Sequence, residues 1–155
     1  VIFLEPMRIY RAITQEVPTS AYSIPFGKAR IARVGKAITI ITWGAMSKYT
    51  LEYIEKNKID AEVIDVRSIV PLDTKTIIES IKKTGRAVIV HESPKTGGFG
   101  AEISARINEK ALEFLEAPIL RVAGYSTALP FAKRELEYIP NEKRIMHSIN
   151  KVLNY

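Results

Sequence analysis

The 155-residue chain contains no cysteine, so disulfides, thiolate metal ligands and thiol catalysis are all excluded. It has only two histidines, and no histidines or carboxylates recur at the spacing of metal ligands with further ligands nearby. No apolar run approaches the roughly 20 residues of a membrane-spanning helix, and the first residues lack the basic start and the length of a signal peptide. These absences predict a cytoplasmic protein that has no structural metal and no membrane partner.

The sequence also lacks a concentrated run of one charge, although 23 Lys and Arg residues against 17 Asp and Glu residues give a net charge of +6. The basic residues occur singly or in pairs, such as Lys82-Lys83 and Lys143-Arg144, with acids between them. No stripe of interleaved basic and aromatic residues marks a nucleic-acid surface. The pattern favours a solvated surface with no nucleic-acid partner, and a basic nucleic-acid-binding domain is the minor alternative.

What the sequence does contain is a regular succession of strand-like and helix-like segments. Apolar, β-branched segments of strand length lie at 29–34, 37–42, 61–66, 87–90 and 118–122, and most are separated by segments of helical periodicity. Short strands separated by helices are typical of a parallel sheet covered on both faces. The sequence therefore predicts a three-layer α/β fold with a mainly parallel, five-stranded sheet and one antiparallel edge strand.

The first two strand-like segments are separated only by Gly35-Lys36, which predicts a tight hairpin. Its first strand alternates basic with small or apolar residues, so we expect this strand to be half exposed at an edge of the sheet. Further along the chain, Asp73 and Gly85 are predicted as the N-cap and C-cap of one helix. Pro140-Asn141 is predicted to precede the terminal helix.

The beginning of the chain differs in character from the rest. The apolar run at 1–4 is ended by Glu5-Pro6 without a partner strand nearby, and the chain does not start with methionine. Residues 16–27 are polar and rich in proline, as linkers are. We therefore expect residues 1–15 to be the tail end of a preceding domain, 16–27 a linker and 28–155 the main domain of a longer polypeptide.

The most distinctive stretch runs from the strand at 87–90 through a polar pair into a glycine-rich turn. The pair, His91 and Glu92, is a weak catalytic candidate, because adjacent residues of a strand point to opposite faces. The turn precedes a helix but matches no known phosphate-loop spacing, which leaves two interpretations. Either its backbone N–H groups hold an anion, or its glycines permit close approach of another backbone, as at a subunit interface. The residues of this turn are Gly97, Gly98, Phe99 and Gly100.

Five motifs in order, at compatible spacings, carry a resemblance that covers essentially the whole chain. They lie within residues 1–11, 24–29, 65–73, 91–103 and 115–119, and the third begins Asp65-Val66-Arg67. Together they resemble the C-terminal half of the β subunit of thiamine-diphosphate-dependent 2-oxo acid dehydrogenases, of the pyruvate and branched-chain types. That half contains the transketolase C-terminal domain.

The resemblance implies a transketolase-type C-terminal domain at 28–155, preceded by the last part of a pyrimidine-binding domain at 1–15. In the family, an α2β2 enzyme decarboxylates a 2-oxo acid and reductively acylates the lipoyl group of an acyltransferase core. The cofactor, thiamine diphosphate with Mg, lies between other domains of that enzyme. We therefore expect this chain to bind no cofactor, to contain no catalytic residue and to be inactive alone.

The partners implied by the resemblance are a second β subunit, the α subunit and the peripheral subunit-binding domain of the acyltransferase. The expected interface residues are Gly97, Gly98, Phe99, Gly100 and Tyr155. Residues 91–100 lean towards the branched-chain members, whereas Ser126, Ala128 and Leu129 depart from their pattern, so the 2-oxo acid stays open. The alternative is a free-standing α/β ligand- or phosphate-binding module that uses the loop at 97–100.

Overall fold

A computed structural model describes residue 2 and residues 7–155, and its centre is a five-stranded sheet. The strands are β1 (Arg30–Arg33), β2 (Ile38–Thr42), β3 (Ala61–Asp65), β4 (Ala87–Pro94) and β5 (Leu120–Gly124). Their order in the sheet is β1-β3-β2-β4-β5. All neighbouring pairs are parallel except β1 and β3, which are antiparallel. The predicted mainly parallel sheet with one antiparallel edge strand is therefore confirmed.

Helices cover both faces of this sheet. They are α1 (Ala45–Lys56), α2 (Thr74–Thr84), α3 (Gly100–Ala111), α4 (Glu135–Tyr138) and α5 (Glu142–Leu153), with 3-10 turns at Met7–Ile9, Leu112–Phe114 and Ala132–Arg134. Buried residues of α1, α4 and α5 form one core cluster with the sheet, and those of α2 and α3 form a second. The two clusters lie on opposite faces, as the three-layer prediction requires. None of the helices in the part of the chain that is described is long and apolar enough to cross a membrane.

Strand β2 is the centre of the sheet, and all five of its residues are buried. Ile38 and Ile40 belong to the first core cluster, whereas Ile41 belongs to the second. Thr39 is also fully buried, and its hydroxyl lies 2.7 Å from the hydroxyls of both Ser80 and Thr84 on α2. A strand that is covered on both faces has no polar side, which explains its nearly continuous apolar sequence.

The predicted hairpin between the first two strands is wrong, although the first strand does lie at the edge. Strand β1 pairs with β3, and β2 lies on the other side of β3. The connection between β1 and β2 therefore crosses the beginning of β3, where Gly35 is buried against the backbone. A Cβ at Gly35 would lie 2.5 Å from the Glu62 nitrogen and closer still to the Ala61 carbonyl group. The glycine is needed for this close crossing rather than for a hairpin turn.

The predicted helix ends are confirmed. Asp73 is the N-cap of α2 and accepts hydrogen bonds from the Thr76 backbone N–H at 3.2 Å and from the Ala29 backbone N–H at 3.0 Å. Gly85 ends the same helix in the left-handed conformation, with φ of 66°. Asn141 is the N-cap of α5 and accepts from the Arg144 backbone N–H at 3.1 Å. Local capping chemistry thus fixes where these helices begin and end.

Residues 7–29 contain little regular structure beyond one 3-10 turn at Met7–Ile9. The strand predicted at 1–4 falls almost entirely outside the described residues. Residues 13–25 contain neither helix nor strand, and their side chains are exposed. The division into a tail at 1–15, a linker at 16–27 and a main domain at 28–155 stays a prediction.

We expect Gly35→Ala to lower the free energy of unfolding by about 2 kcal/mol or more, because the new methyl group must displace the backbone of β3. Urea denaturation measures this change. Lys36→Ala is the control, since the neighbouring Lys36 side chain is exposed and its removal should change stability by less than about 0.5 kcal/mol. Equal stability of the two variants would contradict the proposed crossing.

Candidate functional site

The site that the fold singles out lies at the carboxyl ends of β2 and β4. The chain passes from β2 to β3 on one side and then back to β4 on the other, so the direction of winding reverses between β2 and β4. Open α/β sheets usually bind ligands at such a reversal, outside the carboxyl ends of the strands. Trp43 and Gly44 follow β2 at this point, and His91 and Glu92 lie on β4.

The His91 side chain is fully buried at this end of the sheet. Its ring stacks on the ring of Trp43 with centroids 5.0 Å apart and planes 10° from parallel. Phe99 contacts Trp43 edge-on at 6.3 Å. Nδ1 of His91 lies 2.8 Å from the Ser93 hydroxyl, and Nε2 has no hydrogen-bond partner. The imidazole is therefore part of an aromatic cluster that joins β2, β4 and the glycine-rich turn.

The glycines of the turn make room for this imidazole. A Cβ at Gly100 would lie 2.5 Å from His91 Nε2, and a Cβ at Gly98 would lie 2.8 Å from His91 Cε1. Gly98 would also collide with the carbonyl oxygen of Pro94. Gly97 is different, because it faces open space and has φ of 73°, a conformation that favours glycine for backbone reasons. Two of the three glycines thus serve packing inside the chain.

Burial, and then the positive charge of Arg121, lower the pKa of His91 below its ordinary value, and a hydrogen bond with the Ser93 backbone offsets part of this lowering. The imidazole is therefore neutral near pH 7. A neutral ring can stack on Trp43 without the cost of burying a charge. Its unpartnered Nε2 faces the backbone at Gly100, so the ring has no open side on which a substrate could be placed.

Glu92 points to the opposite face of the sheet and is exposed. It lines an open cleft of about 410 Å³ together with Ala45, at the start of α1, and Tyr138. The pairing of β4 with β5 is irregular between Val90 and Pro94, yet this bend does not bring the two polar side chains together. The structure thus separates His91 and Glu92 as a strand geometry predicts, and a joint acid-base role gains no geometric support.

Of the other residues predicted to act at interfaces, Phe99 is half-buried on Trp43, and Gly98 and Gly100 are buried. Tyr155, at the end of the chain, is 78% exposed. Their interface role stays a prediction. Sequence reasoning missed Trp43, the aromatic partner of His91. The signal that could have found it is its position as the single tryptophan, directly after a fully buried strand.

We expect the free energy of unfolding to fall on acidification through titration of His91. The unfolded chain binds a proton on this residue below about pH 6.5, while the folded chain does not. The neutral ring therefore makes its full contribution to the free energy of unfolding above that pH. This contribution is lost as the pH falls towards the lower pKa of the folded state, and the loss is at most about 1.4 kcal/mol per pH unit. NMR titration of the imidazole signals, together with urea denaturation between pH 7.5 and 5, measures the effect.

His91→Asn should remove this decrease in the free energy of unfolding at low pH. His147→Asn is the control, because His147 is the second histidine and is exposed, and this variant should keep the decrease. The hypothesis of a buried neutral imidazole fails if the His91 signal titrates at or above the ordinary histidine value.

Gly98→Ala should destabilise the chain by about 2 kcal/mol, because the methyl group must displace both the His91 ring and the Pro94 carbonyl. Gly97→Ala is the matched control. It meets no neighbouring atom and should cost only the backbone strain of about 1 kcal/mol. Fluorescence of Trp43, the single tryptophan, reports denaturation and the local change around His91. Equal destabilisation by the two alanines would contradict the packing role of Gly98.

Comparison with known proteins places this geometry in a family. Residues 27–145 match the family described as "Transketolase, C-terminal domain". A solved structure described as "Split gene transketolase, inactive beta4 tetramer" superposes with a TM-score of 0.73 at 25% identity, covering 90% of this chain and 46% of that chain. The fold predicted from the sequence is therefore also the fold of a known transketolase-type structure.

Two curated relatives match over the entire chain. One is "2-oxoisovalerate dehydrogenase subunit beta, mitochondrial" of Dictyostelium discoideum, which is 50% identical over 159 residues; the match covers 43% of that protein's length. Another is "Pyruvate dehydrogenase E1 component subunit beta" of Bacillus subtilis (strain 168), which is 46% identical over 158 residues; the match covers 49% of that protein's length. The chain thus spans about half the length of the curated relatives it matches. Because the family match extends over most of the chain, the protein belongs to the transketolase C-terminal domain family.

Proposed function

We propose that this chain is the C-terminal association domain of the β subunit of a 2-oxo acid dehydrogenase. The observation that carries this proposal is the similarity of all 155 residues to β subunits of both the pyruvate and the branched-chain type. In this proposal the complete enzyme decarboxylates a 2-oxo acid and transfers the acyl group to a lipoyl acceptor. The chain contributes assembly of subunits and docking to the acyltransferase core.

The distribution of exposed apolar side chains supports a role in association. Phe26 is 88% exposed, and Phe131 is 91% exposed. Leu129 and Leu136 lie near Phe131 in the sequence and are also exposed, and several more apolar residues are exposed between 13 and 26. Monomeric proteins rarely expose apolar side chains in such concentration, because each would gain free energy by burial against a partner. These two segments are the surfaces that we assign to subunit contacts.

The chemistry of the enzyme is assigned to other parts of the complete protein. Thiamine diphosphate carries the decarboxylation when it is bound, and its diphosphate is held through Mg²⁺, which prefers carboxylate and carbonyl oxygens. Among residues 7–155 no three His, Asp or Glu side chains gather to hold a metal ion. In this proposal the cofactor site is formed by other parts of the complete enzyme.

The alternative of a phosphate-binding module built on the turn at 97–100 gains no support from the geometry. Gly98 and Gly100 face the His91 ring, and the backbone N–H of Ala101 donates to Gly98 within the turn itself. The partners proposed for the association domain are a second β subunit, the α subunit and the peripheral subunit-binding domain of the acyltransferase. The exposed Tyr155 is assigned to the last of these contacts.

Sedimentation velocity of the 155-residue chain, alone and mixed with the α subunit and the N-terminal half of the β subunit, tests the proposal. We expect concentration-dependent association, and we expect calorimetric titration of the chain alone with thiamine diphosphate to show no tighter binding than titration with pyrophosphate. Phe131→Ser should weaken association about tenfold, because truncation of a central aromatic contact typically costs more than 1 kcal/mol.

Lys133→Ser is the matched control in the same exposed segment and should leave association unchanged. The unfolding midpoint of both variants should equal that of the parent, because neither side chain is buried. A chain that stays monomeric in the presence of both partner parts would refute the association role, and a chain that binds thiamine diphosphate much more tightly than pyrophosphate would refute the placement of the cofactor site.

A further inference from the structure

A second cleft, of about 450 Å³, lies between β5, the free edge strand of the sheet, and helix α5. It lies at the carboxyl ends of β4 and β5. Its lining includes Lys95, Thr96, Arg121, Ser126 and Arg144, and no carboxylate of the described residues contributes to it. We call it the β5 cleft.

The positive charges of the β5 cleft are not compensated by acids. Elsewhere in the described chain several basic side chains are paired with acids, as in Arg30–Asp65, Lys48–Glu52, Lys56–Glu142, Lys83–Glu62, Arg86–Glu116 and Arg106–Glu102. Lys95, Arg121 and Arg144 take part in no ion pair among residues 7–155. Three like charges that line one cleft repel one another, and a bound anion would offset this repulsion.

Backbone carbonyl groups hold two of these cations in place. Arg121 Nη1 donates to the Lys95 carbonyl oxygen at 2.9 Å. Arg144 donates to the carbonyl oxygens of Tyr138 at 3.1 Å, Ile139 at 3.2 Å and Ala123. Carbonyl oxygens fix the position of a guanidinium group but carry no net charge, so the positive charge is oriented without being neutralised. This arrangement prepares the cleft for an anion.

Two further features complete the pre-organisation. The guanidinium carbon of Arg144 lies 4.3 Å from the centre of the Tyr125 ring, which confines the cation from another side. The Ser126 hydroxyl donates to Thr96 Oγ1 at 3.1 Å, so the proton of the Thr96 hydroxyl remains available for an acceptor. The cleft therefore presents oriented cations together with a hydroxyl donor.

We propose that the β5 cleft binds a phosphoryl group, free or carried by a small molecule. A phosphate monoester has a charge of about −1.5 to −2 and three acceptor oxygens, which matches several cations better than a single carboxylate does. Guanidinium groups are well suited to such oxygens. The inference is independent of the association role, because it concerns a small ligand of the chain itself.

The test is calorimetric titration of the full chain with pyrophosphate at pH 7.5 and about 0.15 M NaCl, where the Debye length is about 8 Å and unspecific surface binding is screened. We expect saturable binding, and we expect NMR shift changes concentrated at the amides of Thr96, Gly124 and Ser126. Lys95→Gln and Arg121→Gln should each weaken binding about tenfold, the effect of losing one charge-assisted hydrogen bond.

Arg106→Gln is the matched control, since it removes the same charge from an exposed residue of α3 that pairs with Glu102 at 2.7 Å. It should leave pyrophosphate affinity unchanged. Lys95 is exposed and makes no side-chain contact that supports the fold, so its variant separates lost binding from lost folding. Absence of saturable binding, or an equal loss in Lys95→Gln and Arg106→Gln, would overturn the proposal. Inorganic phosphate in place of pyrophosphate shows whether one phosphoryl group is sufficient.

Discussion

The burial of one imidazole ring determines how the carboxyl end of this sheet is built. A buried ring nitrogen without a hydrogen-bond partner lowers the stability of the fold by on the order of 1–3 kcal/mol. Favourable packing around His91 must therefore offset this cost. The surroundings do this by stacking the ring on Trp43 and by bringing the backbone at Gly98 and Gly100 against its other side. Strand β4 extends beyond its apolar core to reach this cluster, and α3 begins where the cluster ends.

The same constraint explains why the glycine-rich turn resembles a ligand loop in sequence but not in structure. Glycines before a helix serve either to expose backbone N–H groups or to admit a neighbouring group closely, and the two uses have the same local sequence. At Gly98 and Gly100 the neighbour is His91, several residues earlier in the chain. Only the three-dimensional position of that ring distinguishes the two uses.

Periodicity and capping predicted most of the architecture, because both are local properties. Asp73 and Gly85 cap their helix in the predicted way, and the apolar strands form a three-layer fold. The pairing of the first strand could not be read in this way, since Gly35-Lys36 suits either a hairpin or a crossing over β3. Strand β2 is buried on both faces, which indicates covering helices but does not identify its neighbours within the sheet. At the site, the opposite orientation of His91 and Glu92 followed from strand geometry, whereas Trp43 comes from another strand and had no local link to His91.

Arg144 illustrates why the charge pattern of a sequence does not reveal which basic side chains the fold holds in place. In the sequence it is one member of a scattered basic pair, which is typical of a solvated surface. In the fold, its guanidinium reaches the carbonyl oxygen of Ala123, 21 residues away, together with those of Tyr138 and Ile139. Because a neutral acceptor replaces the usual carboxylate, the side chain becomes ordered while its charge remains available. The lining of the β5 cleft contributes polar and basic side chains, whereas those assigned to subunit contacts are exposed and apolar, so the two proposals rest on different side chains.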